Sequence, residues 1–264
     1  MKHTTFKANV AGLSHRGRVR GKNEDLLLLG KALASDESQI PVTAELRSDN
    51  PWQIAAIDGI GGARAGATAS QDLGAMLLKS HATLPEDMIQ LLHECNTSMF
   101  KRAQSDSALT GMGAALAGLA WGEQGLFAFN VGDCRVYRSR DRFLEQITRD
   151  DSTAQMFVDI GVFDSETVRP SSMHSLTQAI GGRHEFTEIS PHVYPIKITH
   201  RSRFLICTDG LTDMLSLDQM EVLVQNNADP SMLASALIDG ALEAGGNDNI
   251  SVIVADITPG TEQA

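Results

Sequence analysis

The sequence predicts an α+β fold or a layered sandwich, on two observations. Apolar residues recur at three- and four-residue spacing in long segments, the mark of amphipathic helices. Mixed with these are short apolar runs rich in Ile, Val and Phe and bounded by Gly, Asp and Asn, the mark of strands. Long helices and several short strands in one chain pack as layers around a shared core.

The clearest helix is Glu86–Gln104, where Met88, Leu91, Leu92, Cys95, Met99 and Phe100 form one stripe. Pro85 precedes it, and Glu86 and Asp87 open it, where the helix dipole favours carboxylates. A second helix, Pro230–Glu243, carries Leu233, Leu237 and Ala241 with the offset Ile238 and Leu242, and Gly245-Gly246 stops it. A third begins after the Gly61-Gly62 turn and runs through Ala69, Leu73, Met76 and Leu77. The strand-like runs are Gln53–Ile57, Leu126–Val131, Arg203–Thr208 and Ile250–Ala255. The polar stretch Ala34–Asn50 reads as an exposed loop or irregular hairpin, and Thr258–Ala264 as a frayed tail. No internal repeat or low-complexity linker divides the chain. Residues 1–264 are therefore expected to form one domain with a core at about 12–256.

Composition narrows the function. The formal net charge of −11 argues against a nucleic-acid partner, which calls for a basic stripe to meet phosphates, and against docking on an anionic membrane. The basic N-terminus lacks the apolar core of a signal peptide, and the most apolar stretch, Gly111–Trp121, is too short to span a bilayer. A cytoplasmic location is expected. Cys95, Cys134 and Cys207 are isolated, with no C-x-x-C pair, so they read as buried free thiols. Histidines are scattered, with no HExxH, which leaves zinc-hydrolase chemistry unsupported.

The informative pattern is where strands meet aspartate. Gln53–Ile57 ends in Asp58-Gly59-Ile60-Gly61-Gly62, Arg203–Thr208 in Asp209-Gly210, and Leu126–Val131 in Gly132-Asp133. Asn247-Asp248-Asn249 sits just before Ile250, and Asn23-Glu24-Asp25 abuts the run Leu26–Leu29. One Asp-Gly is an ordinary turn. Five acidic motifs, each at the lip of a strand that should be buried, are harder to place as turns, because a buried carboxylate must be paired or bound to a metal. Oxygen ligands without His or Cys select hard ions, Mg²⁺, Mn²⁺ or Ca²⁺, and the spacing does not match an EF-hand loop. A two-metal phosphodiesterase or nuclease shares this logic but is opposed by the net charge. A calcium-stabilised binding domain is a further alternative.

In this order the motifs resemble the metal-dependent protein phosphatase family (protein phosphatase 2C-like), over about Gly12 to Asp256. Gly17-Arg-Val-Arg20-Gly-Lys-Asn23-Glu24-Asp25 matches the opening motif, and Ala56-Ile-Asp58-Gly59-Ile-Gly61-Gly62 the aspartate-glycine metal turn. Gly111-Met-Gly113, Asn130-Val-Gly132-Asp133-Cys-Arg135, Leu205-Ile-Cys-Thr-Asp209-Gly210-Leu211 and Asn247-Asp248-Asn249 complete the set. The resemblance implies a four-layer α-β-β-α sandwich with two central antiparallel sheets. It implies a serine/threonine phosphatase using two Mn²⁺ or Mg²⁺ ions and a third, looser one. Asp58 is then expected to bridge two ions and the Gly59 carbonyl to complete one shell. Asp209 and Asp248 would hold the other ion, Glu24 and Asp25 metal-associated waters, and Asp133 with Asp209 the third ion. Arg20 would clamp the phosphate. The implied partner is a phosphorylated protein, a Ser/Thr kinase or its targets, and the segment Asp151–Ser175 would be the family's flap, with a short helix near Met156–Ile160.

Several positions depart from the family. Ala63 stands where many members carry a histidine thought to protonate the leaving group, and Ala114-Ala115 where many carry threonines. Asp151 replaces a histidine that often follows the Thr-x-Asp motif. These motivate an alternative, a catalytically weak relative that binds phosphorylated partners without turnover. Arg20 has a plainer reading too, as one of the basic residues Arg16, Arg18, Arg20 and Lys22 along an exposed strand edge. His15 reads as a surface histidine, and Trp52 and Trp121 as core or rim residues.

Overall fold

The computed structural model describes residues 5–35, 40–62, 64–80, 82–162 and 175–259. They form two antiparallel sheets. The first runs in the order β4 (Val42–Arg47), β1 (Phe6–His15), β13 (Ile250–Pro259), β12 (Ser202–Cys207), β8 (Arg135–Arg140), β9 (Phe143–Gln146). The second runs β11 (His192–Ile196), β7 (Gly125–Val131), β6 (Gly113–Gly122), β5 (Trp52–Ile60), β2 (Leu26–Leu29), β3 (Ala32–Ala34), with β10 (Ile180–Gly181) also on β6.

Side-chain alternation explains the layers. On β6, Ala114, Leu116 and Ala120 point to one core and Ala115, Ala117 and Leu119 to another. The first of these cores lies under α1 (Ala65–Lys79) and α2 (Pro85–Ser105), with Leu73, Leu77, Met88 and Leu92 fully buried. The second fills the space between the sheets, where Phe204, Ile206 and Ile253 meet Ile54 and Leu119. A third lies between the first sheet and α4 (Asp209–Thr212), α5 (Leu217–Asn226) and α6 (Pro230–Glu243), with Val252 and Val254 facing Leu233 and Leu237. The four-layer α-β-β-α order is thus present. A short α3 (Thr153–Asp159) starts at Ser152, whose hydroxyl accepts from the Gln155 amide.

The predicted helices stand where their stripes put them. Two expectations change. Val42–Arg47, inside the stretch read as a loop, is edge strand β4 and pairs with β1 from Lys7↔Arg47 to Gly12↔Val42. Its inward residues Ala44 and Leu46 pack on the inter-sheet core, while Glu45 faces out and pairs with Lys7 at 2.6 Å. Thr258 and Pro259, read as a frayed tail, extend β13 and pair with Lys7 and Phe6. Trp52 and Trp121 sit opposite each other on β5 and β6 with ring centroids 6.4 Å apart, a rim cluster at the far end of β5 from Asp58. Among the described residues, no helix is long and apolar enough to cross a membrane.

Candidate metal centre

The acidic motifs converge at one end of the sandwich. Asp58 lies near the end of β5, opposite Ala115. Asp133 lies in the connection that carries the chain from β7 in one sheet to β8 in the other. Asp209 opens α4 directly after β12. One carboxylate oxygen from each lies within 4.8 Å of the others. Asp25, just before β2, is 3% exposed, and its Oδ2 accepts from the Thr208 hydroxyl at 2.9 Å. Asp248, in the turn before β13, accepts from the Arg20 guanidinium at 2.7 Å and from the Asn249 amide at 2.8 Å.

Asp58, Asp133, Asp25 and Asp209 resist ionising. Burial, then repulsion from Asp25, Asp209, Asp133 and Asp248, raises Asp58 well above the carboxylate range. Burial and then Asp209 do the same to Asp133. Burial brings Asp25 up to about 7, with the hydroxyls of Ser251 and Thr208 pulling the other way. Burial, then Asp213 and Asp248, brings Asp209 up to about 6. Burial also raises Glu24. Arg20 is held more firmly protonated, chiefly by its hydrogen bond to Asp248. Two buried oxygens, Asp25 Oδ1 and Asp133 Oδ1, have no hydrogen-bond partner. An oxygen-only cluster with repelling charges and orphaned acceptors fits a hard divalent cation, which supplies the positive charge and the missing partner together. The nearby Cys134 thiol is buried and pushed well above its ordinary range, so it offers no thiolate ligand.

Much of what positions the site was not legible as chemistry. The buried Asn249 donates from Nδ2 to the carbonyls of Arg16 and Lys22, both at 2.9 Å, and accepts from the Glu24 amide at 2.8 Å. One side-chain amide thus fastens residues 16–24 to the start of β13. The Thr208 hydroxyl accepts from the Ser251 amide while donating to Asp25. Gly66, in the first turn of α1, has no room for a methyl group, which would overlap the Glu24 carboxylate and the Gly59 carbonyl. Glu24 therefore sits at the positive end of a helix whose N-terminus has no side-chain cap. The only sequence signals for these were the adjacency of Asn249 to Asp248 and of Thr208 to Asp209.

Arg16, Arg18, Arg20 and Lys22 lie in the connection between β1 and β2 and not along a strand edge. Arg135 grips Asp150 with Nε at 3.0 Å from each oxygen and Nη2 at 2.6 Å from Oδ2, closing the β8 side of the site. Ala114 and Ala115 are fully buried, one in each core that β6 separates. His15 is half-buried, and its Nδ1 accepts from the Gly17 amide at 2.9 Å. Ala63 lies outside the described residues, as do residues 163–174 of the segment read as a flap. The short helix expected near Met156–Ile160 is α3, which begins three residues earlier.

The comparisons with known proteins agree with this geometry. A model of the family described as protein phosphatase 2C matches residues 42–237. The serine/threonine protein phosphatase PstP of Mycobacterium tuberculosis is 31% identical over 265 residues, covering 97% of this chain and 46% of that protein. The chain thus spans about half the length of this mycobacterial relative. The serine/threonine phosphatase stp of Listeria welshimeri is 28% identical over 250 residues, covering 91% of this chain and 92% of the relative. The crystal structure of the catalytic domain of PstP in complex with two manganese ions superposes with a TM-score of 0.76 at 29% identity, covering 96% of this chain and 99% of that one. With the family model spanning well over half of the sequence and a solved relative sharing the sandwich, the chain belongs to the protein phosphatase 2C family.

Proposed function

We propose that this chain is a metal-dependent phosphatase that hydrolyses phosphoserine and phosphothreonine in proteins. The observation that carries it is the meeting of Asp58, Asp133 and Asp209 within 4.8 Å, beside two buried carboxylate oxygens that lack partners. Mn²⁺ or Mg²⁺ is the expected ion, since the donors are all oxygen and the solved PstP catalytic domain holds two manganese ions. Asp58, the Gly59 carbonyl, Asp209 and Asp248 would hold the two ions. Glu24 and Asp25 are assigned to metal-associated waters, and Asp133 with Asp209 to a third ion. Two such ions, when bound, would lower the pKa of an attacking water and screen the charge of the phosphoryl oxygens.

The chain's own residues do the rest. Arg20 reaches into the site from the connection after β1, held by Asp248, and its planar fork suits a phosphate better than an ammonium does. It orients the phosphoryl group for attack in line with the leaving oxygen. The buried carboxylates would hold the cations in fixed places, so that positive charge faces the phosphoryl oxygens without rearrangement as charge develops. No protein group among the described residues is assigned as acid for the leaving oxygen, and solvent serves that role.

One phosphatase domain in the cytoplasm, acting on a Ser/Thr kinase or its targets, is the corresponding biological setting. It is supported by the family match and by the phosphatase names of the relatives. Nothing in the site favours binding without turnover. The test is hydrolysis of a small phosphomonoester and a phosphothreonine peptide with Mn²⁺, Mg²⁺, Ca²⁺ or EDTA. Mn²⁺-dependent phosphate release that vanishes in Asp209→Asn is expected. Metal binding without turnover would overturn the proposal.

A further inference from the structure

Asp151 replaces a family histidine, yet it is among the most heavily bonded side chains near the site. It is 6% exposed. Its Oδ2 accepts from the Gly132 amide at 2.9 Å and from Gln178 Nε2 at 2.7 Å, and its Oδ1 meets His192 Nε2 at 2.8 Å. Its own amide donates to the Gly132 carbonyl at 2.9 Å, so one residue holds Gly132 by both its N–H and its C=O. Gly132 is the residue before Asp133. It has φ +99°, and a methyl group there would run into Ala115, so the turn has one conformation and little room to relax. Asp151 also ties the described residues on either side of 163–174 to each other: its carbonyl accepts from the Thr177 amide at 2.8 Å, and Ser152 bridges to Leu176.

The Gly132 amide and Gln178 Nε2 both donate to Oδ2, and Oδ1 of an ionised carboxylate is left as an acceptor for a His192 Nε2–H tautomer, while Gln178 is itself fixed by accepting from the Ser190 amide at 2.8 Å. An amide at 151 has one acceptor oxygen and two donors, and it would face at least one of these N–H groups with another N–H.

We propose that Asp151, oriented by His192 and Gln178, is a positioning residue that fixes the Gly132–Asp133 turn and thereby sets the affinity of the Asp133 carboxylate for its divalent ion. This rests on the proposed function only in taking Asp133 as a ligand. Groups that orient metal ligands usually change affinity by 10- to 100-fold when removed.

The test is calorimetric titration of Mn²⁺ into the full chain, with melting temperature followed in parallel. Asp133→Asn is expected to remove one class of Mn²⁺ site. Asp151→Asn is expected to weaken that class roughly tenfold or more, and to change nothing further in the Asp133→Asn background. His192→Ala should weaken it in the same direction, and His192→Gln, which keeps an N–H donor, should recover most of the loss. His192 is at the partly exposed end of the chain of contacts, so its variants report even if Asp151→Asn fails to fold. An unchanged isotherm in Asp151→Asn or His192→Ala overturns the inference. So does an equal loss with and without Asp133, which would mark a merely structural role, or a wild-type isotherm that Asp133→Asn leaves intact. All of these read metal binding and not turnover, so an inactive but metal-binding wild type would sink the phosphatase alone.

Discussion

Stripping divalent ions from this protein and raising the pH should destabilise it, the reverse of the usual behaviour of carboxylates. Most surface and paired carboxylates gain stability as they ionise. Asp25 is buried, and its pKa in the folded chain stands at about 7 against an ordinary 3.8. Between these values the folded protein keeps a proton that the unfolded chain has released. The contribution of Asp25 is therefore fully present below about pH 3.8 and is lost as the pH climbs through about 7. Over that window the loss is on the order of 4 kcal/mol. Asp209, brought up to about 6, adds to the lower part of the same fall. For a chain of this size 1 kcal/mol moves the melting temperature by about 2–4 °C, so Asp25 alone accounts for a drop of roughly 10 °C. Mn²⁺ needs ionised ligands, so its stabilising effect should grow across the same window and cancel the drop. The assay is thermal unfolding from pH 4 to 8 in EDTA and in Mn²⁺, for the wild type and Asp25→Asn. Subtracting the mutant removes the titrating groups that do not interact with Asp25, while Asp58 and Asp209, which do, shift along with it. If the metal-free wild type holds level with, or gains on, Asp25→Asn as the pH rises from 4 to 7, the assignment of a buried, protonated Asp25 is refuted.

Arg20→Ala should lower kcat/KM on a phosphothreonine peptide by about 100-fold, the usual loss when one donor to a developing charge is removed. Arg20→Lys should recover little of it, which steady-state kinetics will show. Arg203→Ala should cost about 3 kcal/mol in urea unfolding, because it strips Nε and Nη2 from Asp256, which is 4% exposed and is left with Arg201 alone. Its Mn²⁺ isotherm should not change, since Asp256 lies about 20 Å along β13 from the acidic end.

The fold was legible wherever local signals agreed. The predicted helix Pro230–Glu243 has those same bounds in the structure, because Asp229 caps it, Pro230 opens it and glycines follow it. Strand β6 could not be typed from sequence, since burial on both faces leaves a continuous apolar run without alternation. Strand β13 was read short because Asp256 looks like an end. In the structure that carboxylate is buried and paired with Arg201 and Arg203. In the site, the aspartates announced themselves by standing at strand ends. Asn249, Thr208 and Asp151 did not, because what each does depends on a partner far away in the chain. Asn249 meets Glu24 across 225 residues and Thr208 meets Asp25 across 183. No periodicity or turn rule encodes such pairings.

A net charge of −11 does not by itself locate a metal site, and the structure shows why placement matters more than the total. Two ionised carboxylates 4.8 Å apart repel by about 3–4 kcal/mol at an effective dielectric constant near 20. Were Asp58, Asp133 and Asp209 all ionised, the three pairs would come to about 10 kcal/mol, as much as the whole stability of an ordinary domain, which is why all three resist ionising without a cation. The apolar layers on either side of the two sheets must hold that repulsion in place, and only protons or cations can relieve it. Removing one of the three charges should therefore act with opposite signs in two conditions. Asp58→Asn should melt higher than the wild type in EDTA at pH 8, where it deletes the cost of either charging Asp58 or holding a proton on it, and lower in saturating Mn²⁺, where it deletes a ligand. Thermal melts of the two proteins in both buffers decide the matter. A mutant that is less stable in both would mean that Asp58 is held by ordinary pairing and that the acidic end stores no repulsion for an ion to relieve.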